Sequence, residues 1–392
     1  MELKECLKKY GLELPNDSLT IVDLVRTIYK RLGYNAFNEK SNSEIEEIVK
    51  DKKHVILVLV DGMGSNLISS LPDYYKLKKN KKRDLITVNP SSTGAVLTTL
   101  ATGEYPAKHG IIGWYGYNRE KNMAYYPVLF SSRDSGKDLG EYGLKEDQIY
   151  KYKSVMNKLA VKTRALFPEY MVNSKFSKFV LNDDSSRIGY TSIENAFDIV
   201  VNVINNSKEK TFSYVYIPDI DSNEHDNGVY SSQVMETIDK IEKGLSKLEV
   251  LDKNEVITII TADHGQIDVP NGDVIMDFDK YNKYFYAMPG IDFGTATYYV
   301  KKESCKEFEQ EFKKDFNEKM FLFKTDEYLK LNIFGKEEVS EYMLQGLGEY
   351  ISFCKKGYYL VNTLQKENYV GKVKGCHSGF SKEELTIPLI VI

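Results

Sequence analysis

The sequence predicts an α/β fold: a three-layer sandwich with a central, mostly parallel sheet flanked by helices, plus inserted cap regions. Three observations predict it. Val55 to Val60 is an apolar, mostly β-branched run, which reads as a strand buried on both faces. Strand–turn–helix patterns recur after it, around Asp84, Tyr214 and Val256. The chain closes on Leu385 to Ile392, an apolar strand that must be buried and completes the sheet.

Taken in order, residues 1–50 form a helical lead-in. Residues 16–33 have Ile21, Leu24, Val25, Ile28 and Leu32 at helical spacing, with Asn16, Asp17 or Ser18 as cap and Gly33 as stop. Glu44 to Lys50 reads as a second short helix. The first strand stops at Asp61, in a turn with Gly62 and Gly64. A carboxylate at the C-terminal end of a buried strand lies where α/β sheets place ligand chemistry; the alternative is a helix N-cap. Ser65 to Leu71 continues as a helix. Asp84 to Val88 reads as a strand, and a turn through Asn89 to Gly94 leads into a helix over Ala95 to Thr102, stopped by Gly103.

Residues 115–185 are polar, tyrosine-rich and without sustained periodicity, which reads as an insertion over the sheet edge. The alternation resumes with Tyr214 to Ile217, then a Ser231 to Leu248 helix striped by Val234, Ile238, Ile241 and Leu245. Val256 to Ile260 is another buried strand, ending in Thr261-Ala262-Asp263-His264-Gly265. From about 280 to 370 the pattern breaks into a second insertion, with a half-buried strand over Thr295 to Val300 and a charged helix over Ser304 to Asn317. Residues 51–392 are therefore one domain, with cap insertions at about 115–185 and 280–370.

Composition narrows the function classes. The net charge of −4 is too weak to draw the chain to nucleic-acid polymers or membranes, and lysine runs such as Lys78 to Arg83 read as solvated loop surface. Met1 to Tyr10 is charge-rich, unlike a signal peptide, and the apolar runs are of strand length. The four cysteines lack pair spacing, which argues against a disulfide framework or a cysteine zinc site. These features predict a cytoplasmic protein.

The chemistry gathers at strand ends. Asp61 follows one strand; Asp219 and Asp221, with His225 beyond, follow another; Asp263 and His264 follow a third; His377 precedes the last. Three of the five histidines thus lie beside carboxylates or glycine turns, a carboxylate–imidazole set suited to Zn²⁺ or a similar divalent ion. Asp219 reads as a cap, His109 as structural, His54 as a surface residue and Cys376 as a packed one.

Five strings occur in order: Val-Asp-Gly-Met-Gly, Thr-Gly-Glu-Tyr-Pro-Ala-Lys-His-Gly-Ile, Pro-Asp-Ile-Asp-Ser-Asn-Glu-His, Thr-Ala-Asp-His-Gly and Gly-Cys-His-Ser-Gly. The ordered set resembles the alkaline phosphatase superfamily, most closely its type I phosphodiesterase/nucleotide pyrophosphatase branch. The resemblance implies an alkaline-phosphatase-like catalytic domain with two divalent ions, Zn²⁺ first and Mn²⁺ as the alternative. One would be held by Asp221, His225 and His377, the other by Asp61, Asp263 and His264 with the Thr93 hydroxyl. Thr93 matches the family nucleophile, with Gly94 beside it in the substrate site. Attack by Thr93, a covalent phosphothreonine and its hydrolysis would follow, on a small-molecule phosphoester such as a nucleotide. A threonine hydroxyl needs such activation, and a helix start offers free N–H groups to a phosphoryl oxygen.

The sequence departs from the branch at two places. Trp114, the single tryptophan, stands where an asparagine contacts the phosphoryl group. Ser92 and Gly94 replace the lysine and aromatic residue that flank the nucleophile in nucleotide pyrophosphatases. Tyr115, Tyr117 or a group from an insertion is then the expected replacement donor, and Trp114 either stacks on substrate or packs in the core. A phosphomonoesterase or phosphosugar mutase of the same superfamily is the alternative reading, and a catalytically silent metal-binding protein the remaining one.

Overall fold

The computed structural model describes residues 2–12, 14, 19–364 and 366–392. Its centre is a seven-stranded sheet. Numbered in chain order, the strands are β1 (His54–Val60), β2 (Lys81–Ile86), β3 (Lys162–Pro168), β4 (Arg187–Tyr190), β5 (Thr211–Ile217), β6 (Val256–Thr261) and β7 (Thr386–Val391). The spatial order is β2-β7-β6-β1-β5-β3-β4. β1 pairs in parallel with both β5 and β6, and β3 in parallel with β5 and β4. Only β7 runs against its neighbours, antiparallel to β2 and β6. Every residue of β1 and β5 is buried, as expected of central strands covered on both faces.

This topology places the site. Parallel strands deliver their C-terminal ends to one edge of the sheet, where Asp61 follows β1 and Asp263 follows β6. Because β7 is reversed, its N-terminal end lies at that same edge, and the loop before it brings in His377. A buried helix, Thr93–Thr102, starts at the edge and ends at Gly103, whose φ of 69° closes a left-handed cap.

Several elements differ from expectation. The 162–168 segment lies inside the central sheet, between β5 and β4, so the irregular insertion ends before residue 162 instead of reaching 185. Lys162 and Arg164 disguise it, while Ala165, Leu166 and Phe167 are fully buried. The 193–205 helix (Ile193–Asn205) had no counterpart among the expected elements. β2 begins at Lys81, inside the lysine run read as loop; it lies at the sheet's margin, where exposed basic side chains are tolerated and discourage further pairing. His54 is buried, not superficial: β5 and β6 cover it from both sides, and its Nδ1 lies 2.8 Å from Thr211 Oγ1.

The lead-in helix spans Ile21–Arg31 and is capped by Thr20, which exchanges hydrogen bonds with Asp23. The expected caps Asn16, Asp17 and Ser18 lie outside the described residues. Arg26 donates to the Gly103 carbonyl, anchoring a cation at the C-terminus of the Thr93–Thr102 helix. Leu19 accepts a hydrogen bond from the Ile86 N–H, which covers part of the free margin of β2.

Residues 285–354 build a separate four-stranded antiparallel sheet in the order Phe285–Asp292, Thr295–Val300, Tyr350–Cys354, Met320–Lys324. The helix Cys305–Phe316 packs on it through Phe308, Phe312 and Phe316, one apolar stripe at helical spacing. The hairpin turn at 292–295 reaches the β7 side of the sheet edge: Gly294 N–H donates to the His377 carbonyl at 3.2 Å, and Thr295 Oγ1 donates to the Ser378 carbonyl. No helix among the described residues is long and apolar enough to cross a membrane.

Candidate active site

Two trios of ligand-competent side chains meet at the sheet edge: Asp61, Asp263 and His264, and Asp221, His225 and His377. Within each trio one N or O atom per residue lies within 4.8 Å of the others. His264 Nε2 stands 3.4 Å from Asp61 Oδ1, 3.3 Å from Asp263 Oδ2 and 3.2 Å from Thr93 Oγ1. His225 Nε2 and His377 Nε2 stand 3.3 and 3.7 Å from Asp221 Oδ1. The His264 and His377 rings stack at 3.7 Å, so the two trios share one wall.

The imidazoles are aimed by the main chain. Nδ1 of His225 faces the Gly375 carbonyl at 2.8 Å, Nδ1 of His377 the Ser91 carbonyl at 2.8 Å, and Nδ1 of His264 the Gly265 carbonyl at 3.3 Å. A nitrogen facing a carbonyl must carry the proton, so each ring presents the lone pair of Nε2 to its carboxylate partners. The carboxylates are aimed as well. Asp263 Oδ1 accepts from Gly62 N–H and His264 N–H, at 3.1 and 2.9 Å. Tyr216 donates to Asp61 Oδ2, and Gln266 Nε2 donates to Asp221 Oδ1. Gly62, at φ 78°, permits the turn, and a Cβ there would stand 2.9 Å from the Asp221 Cα.

What remains is unsatisfied. Asp61 Oδ1 and Asp263 Oδ2 are buried without any hydrogen-bond partner. Burial, reinforced by Asp263 and Asp221, raises the Asp61 carboxyl well above its usual range, and burial lifts Asp263 to about 6. Burial also holds His264 and His377 near 4, as neutral imidazoles. Asp221 goes the other way: burial is the largest single influence and would raise it, but the pull and hydrogen bond of His225, joined by His377 and His264, together lower it. Orphaned carboxylate oxygens facing neutral imidazole nitrogens are costly in a folded core unless a cation joins them. The donor set fits a divalent ion of the zinc type.

The site opens into a cavity of about 360 Å³, whose wall includes Ser92, Thr93, Trp114, Tyr115, Asp292 and Tyr369. Trp114 therefore borders the cavity while also packing partly against the core, with its backbone N–H on Asp292 Oδ2 at 2.9 Å. Tyr115 borders it too. Tyr117 does not; its hydroxyl donates to Asn122. Gly94 lies off the cavity wall, where its missing side chain allows close packing: a Cβ would stand 2.5 Å from the Gly113 carbonyl oxygen. Asp219 falls outside both trios. His109 is buried, with its ring between Thr99 Oγ1 and the Ile111 N–H. Cys376 is buried in an apolar cluster. Asp292, Phe293, Tyr369 and Lys372 come from segments whose patterning carried no signal of the cavity they line.

Comparison with known proteins agrees with this architecture. No curated protein sequence matches the chain significantly. Among solved structures, human ectonucleotide pyrophosphatase/phosphodiesterase 5 is similar with a TM-score of 0.64 at 16% identity, over 86% of this chain and 87% of that one. The murine counterpart gives 0.63 at 15%, over 86% and 87%. Phosphonoacetate hydrolase from Sinorhizobium meliloti 1021 gives 0.61 at 14%, over 86% and 89%. At such identities the likeness is one of fold. The sequence itself decides the family: residues 55–369 match the model for type I phosphodiesterase / nucleotide pyrophosphatase, so the chain belongs to that family of hydrolases.

Proposed function

We propose that this enzyme is a metal-dependent phosphodiesterase or nucleotide pyrophosphatase that works through a covalent phosphothreonine on Thr93. The observation that carries the reading is the position of Thr93 Oγ1, 3.2 Å from His264 Nε2, at the start of a helix and on the cavity wall. Two divalent ions, Zn²⁺ by preference or Mn²⁺, held by Asp61, Asp263, His264 and Thr93 and by Asp221, His225 and His377, would supply the positive charge that stabilises attacking and leaving oxygens.

The chain's own groups do the rest. Thr93 Oγ1 releases its proton to water and forms a bond to phosphorus as the ester P–O bond on the opposite side breaks, and the leaving alkoxide takes a proton from water. Water then attacks the phosphothreonine, restores the hydroxyl and releases a phosphomonoester. The helix start supplies uncommitted N–H groups toward the phosphoryl oxygens. Trp114, Tyr115, Phe293 and Tyr369 line the cavity and suit a flat leaving or retained group such as a nucleobase. The murine relative has been determined in complex with AMP, which supports a nucleotide-sized ligand. Among the described residues of the wall, Lys372 is the basic side chain, and its ammonium is engaged on the Glu367 carbonyl at 2.6 Å. A monoester dianion finds little extra cationic support there, which favours diesters. The four free cysteines, three of them buried, support the cytoplasmic assignment.

The test is hydrolysis of bis-p-nitrophenyl phosphate and p-nitrophenyl phosphate side by side. Zinc-loaded enzyme should prefer the diester, and chelation or Thr93→Ala should abolish turnover. Preference for the monoester would move the enzyme to the phosphatase or mutase reading, and activity surviving in Thr93→Ala would remove the nucleophile assignment.

A further inference from the structure

Ser92 occupies the N-cap position of the Thr93–Thr102 helix, where a serine normally spends its hydroxyl on a backbone N–H of the first turn. Here it does not: the helix has no side-chain cap. Ser92 is 0% exposed, and its Oγ has no hydrogen-bond partner at all. The residue nevertheless lines the active-site cavity, next to Thr93. A buried hydroxyl without a partner is costly, so its retention in a fully enclosed core position asks for a use. The surroundings leave room for one. Gly113, at φ 150°, has no side chain between the two groups: a Cβ there would stand 2.9 Å from Asp292 Oδ2 and 3.9 Å from Ser92 Oγ. The Asp292 carboxylate that would otherwise repel a phosphoryl group is turned onto the Trp114 N–H.

We infer that Ser92 is a phosphoryl-oxygen donor: its hydroxyl, with the uncapped N–H groups of the helix start, binds a non-bridging phosphoryl oxygen of the diester as Thr93 attacks. The hydroxyl reaches that oxygen by turning between staggered χ1 positions, and no proton is transferred. Its bond tightens as charge builds on the oxygen, so it acts in the transition state more than in substrate binding. This inference rests on the phosphodiesterase reading given above and adds a catalytic residue to it.

The experiment uses the full-length, zinc-loaded enzyme with thymidine 5′-p-nitrophenyl phosphate and its separated Rp and Sp phosphorothioates. Ser92→Ala should lower kcat by about 10²–10³-fold with KM little changed, the range seen on removing one oxyanion donor. Sulfur is a poor acceptor, so the wild type should penalise one diastereomer more, and Ser92→Ala should erase that difference. Metal content should not change, and the thermal midpoint should stay level or rise, since an orphaned hydroxyl has been removed. Ser92→Gly, which keeps an accepted N-cap residue, should repeat the result if the alanine variant folds poorly. Activity within threefold of wild type overturns the inference, as does a loss that leaves the diastereomer ratio unchanged. If the wild type lacks diesterase activity, or Thr93→Ala keeps it, the phosphodiesterase reading itself fails and the role of Ser92 falls with it. A dead Thr93→Ala beside a normal Ser92→Ala removes the Ser92 role alone.

Discussion

The ligand-bearing edge of the central sheet and the inserted 285–354 sheet are both well buried, yet they spend burial in opposite ways. At the edge, Asp61 Oδ1, Asp263 Oδ2 and Ser92 Oγ are enclosed and unsatisfied. In the inserted sheet, the strand side chains that enter the interior are matched, the Tyr298 hydroxyl by Ser352 Oγ and Tyr350 by Glu309, and the Tyr328 hydroxyl on an adjoining helix is an exception. Its core is a cluster of Phe308, Phe312, Tyr281 and Tyr298, packed edge-on or tilted with ring centroids 5.4 to 6.2 Å apart. One region holds unspent hydrogen-bonding and coordinating capacity; the other holds stability. Folding free energy lost at the first is recovered when a ligand arrives, whereas the second gains nothing from ligands directly.

The comparison can be broken most sharply at Asp61. Asp61→Asn should cost more than about a hundredfold in diester turnover. In chelator, however, the variant should be more stable than the wild type, by about 1–3 kcal/mol, because an unpaired buried carboxylate has become a neutral amide that still accepts from Tyr216. Adding zinc should raise the wild-type midpoint far more than the variant's. A variant destabilised in chelator would show that the edge is not held under electrostatic stress. Phe312→Ala inverts the pattern. Phe312 is 1% exposed, and its loss should cost about 3–5 kcal/mol in denaturant unfolding. Turnover per folded molecule should stay within a fewfold of wild type, since Phe312 packs in the core of the inserted sheet and belongs neither to the trios nor to the cavity wall. A collapse of kcat would mean that the inserted sheet is energetically continuous with the trios.

The smallest effect sharpens the comparison at His109, a buried histidine beside the site helix that is satisfied and not ligating. Burial holds its pKa near 3 in the folded protein, against an ordinary value of 6.5. A depressed folded-state value means that its contribution to stability is fully present above pH 6.5 and is lost as pH falls toward 3. The slope should be at most about 1.4 kcal/mol per pH unit. His109→Gln, which keeps a donor for Thr99, should flatten the acid limb of the stability curve between those limits. An unchanged limb would assign acid sensitivity to other groups.

Much of the edge was legible because its residues obey a rule of topology as well as of chemistry. Asp61 and Asp263 end apolar runs, and His225 and His377 sit beside carboxylates or glycines, so position and residue type agree. What escaped did so for physical reasons. β3 hides its burial behind Lys162 and Arg164, whose charges suppress the apolar signal of Ala165 to Phe167. β2 begins in a lysine run because the sheet's margin tolerates solvated side chains. His54 looks like a polar strand opener, and only the pairing of β1 on both sides shows that it is covered. Ser92 carries the ordinary signature of an N-cap; the fact that it does not cap exists only in three dimensions. Tyr369 and Asp292 reach the cavity from segments without periodicity, where sequence spacing holds no information about distance.

The reversed strand β7 has a consequence for folding. It enters between β2 and β6, so until it docks the sheet carries two unpaired margins facing each other across a gap. The second trio is incomplete over the same interval, because His377 is tied to β7 by a short connection that includes the one-turn helix Lys382–Leu385. A chain with β7 undocked is therefore prone to intermolecular pairing at the stage when its second trio is incomplete. Docking of β7 ends both conditions at once, coupling completion of the sheet to completion of the trio.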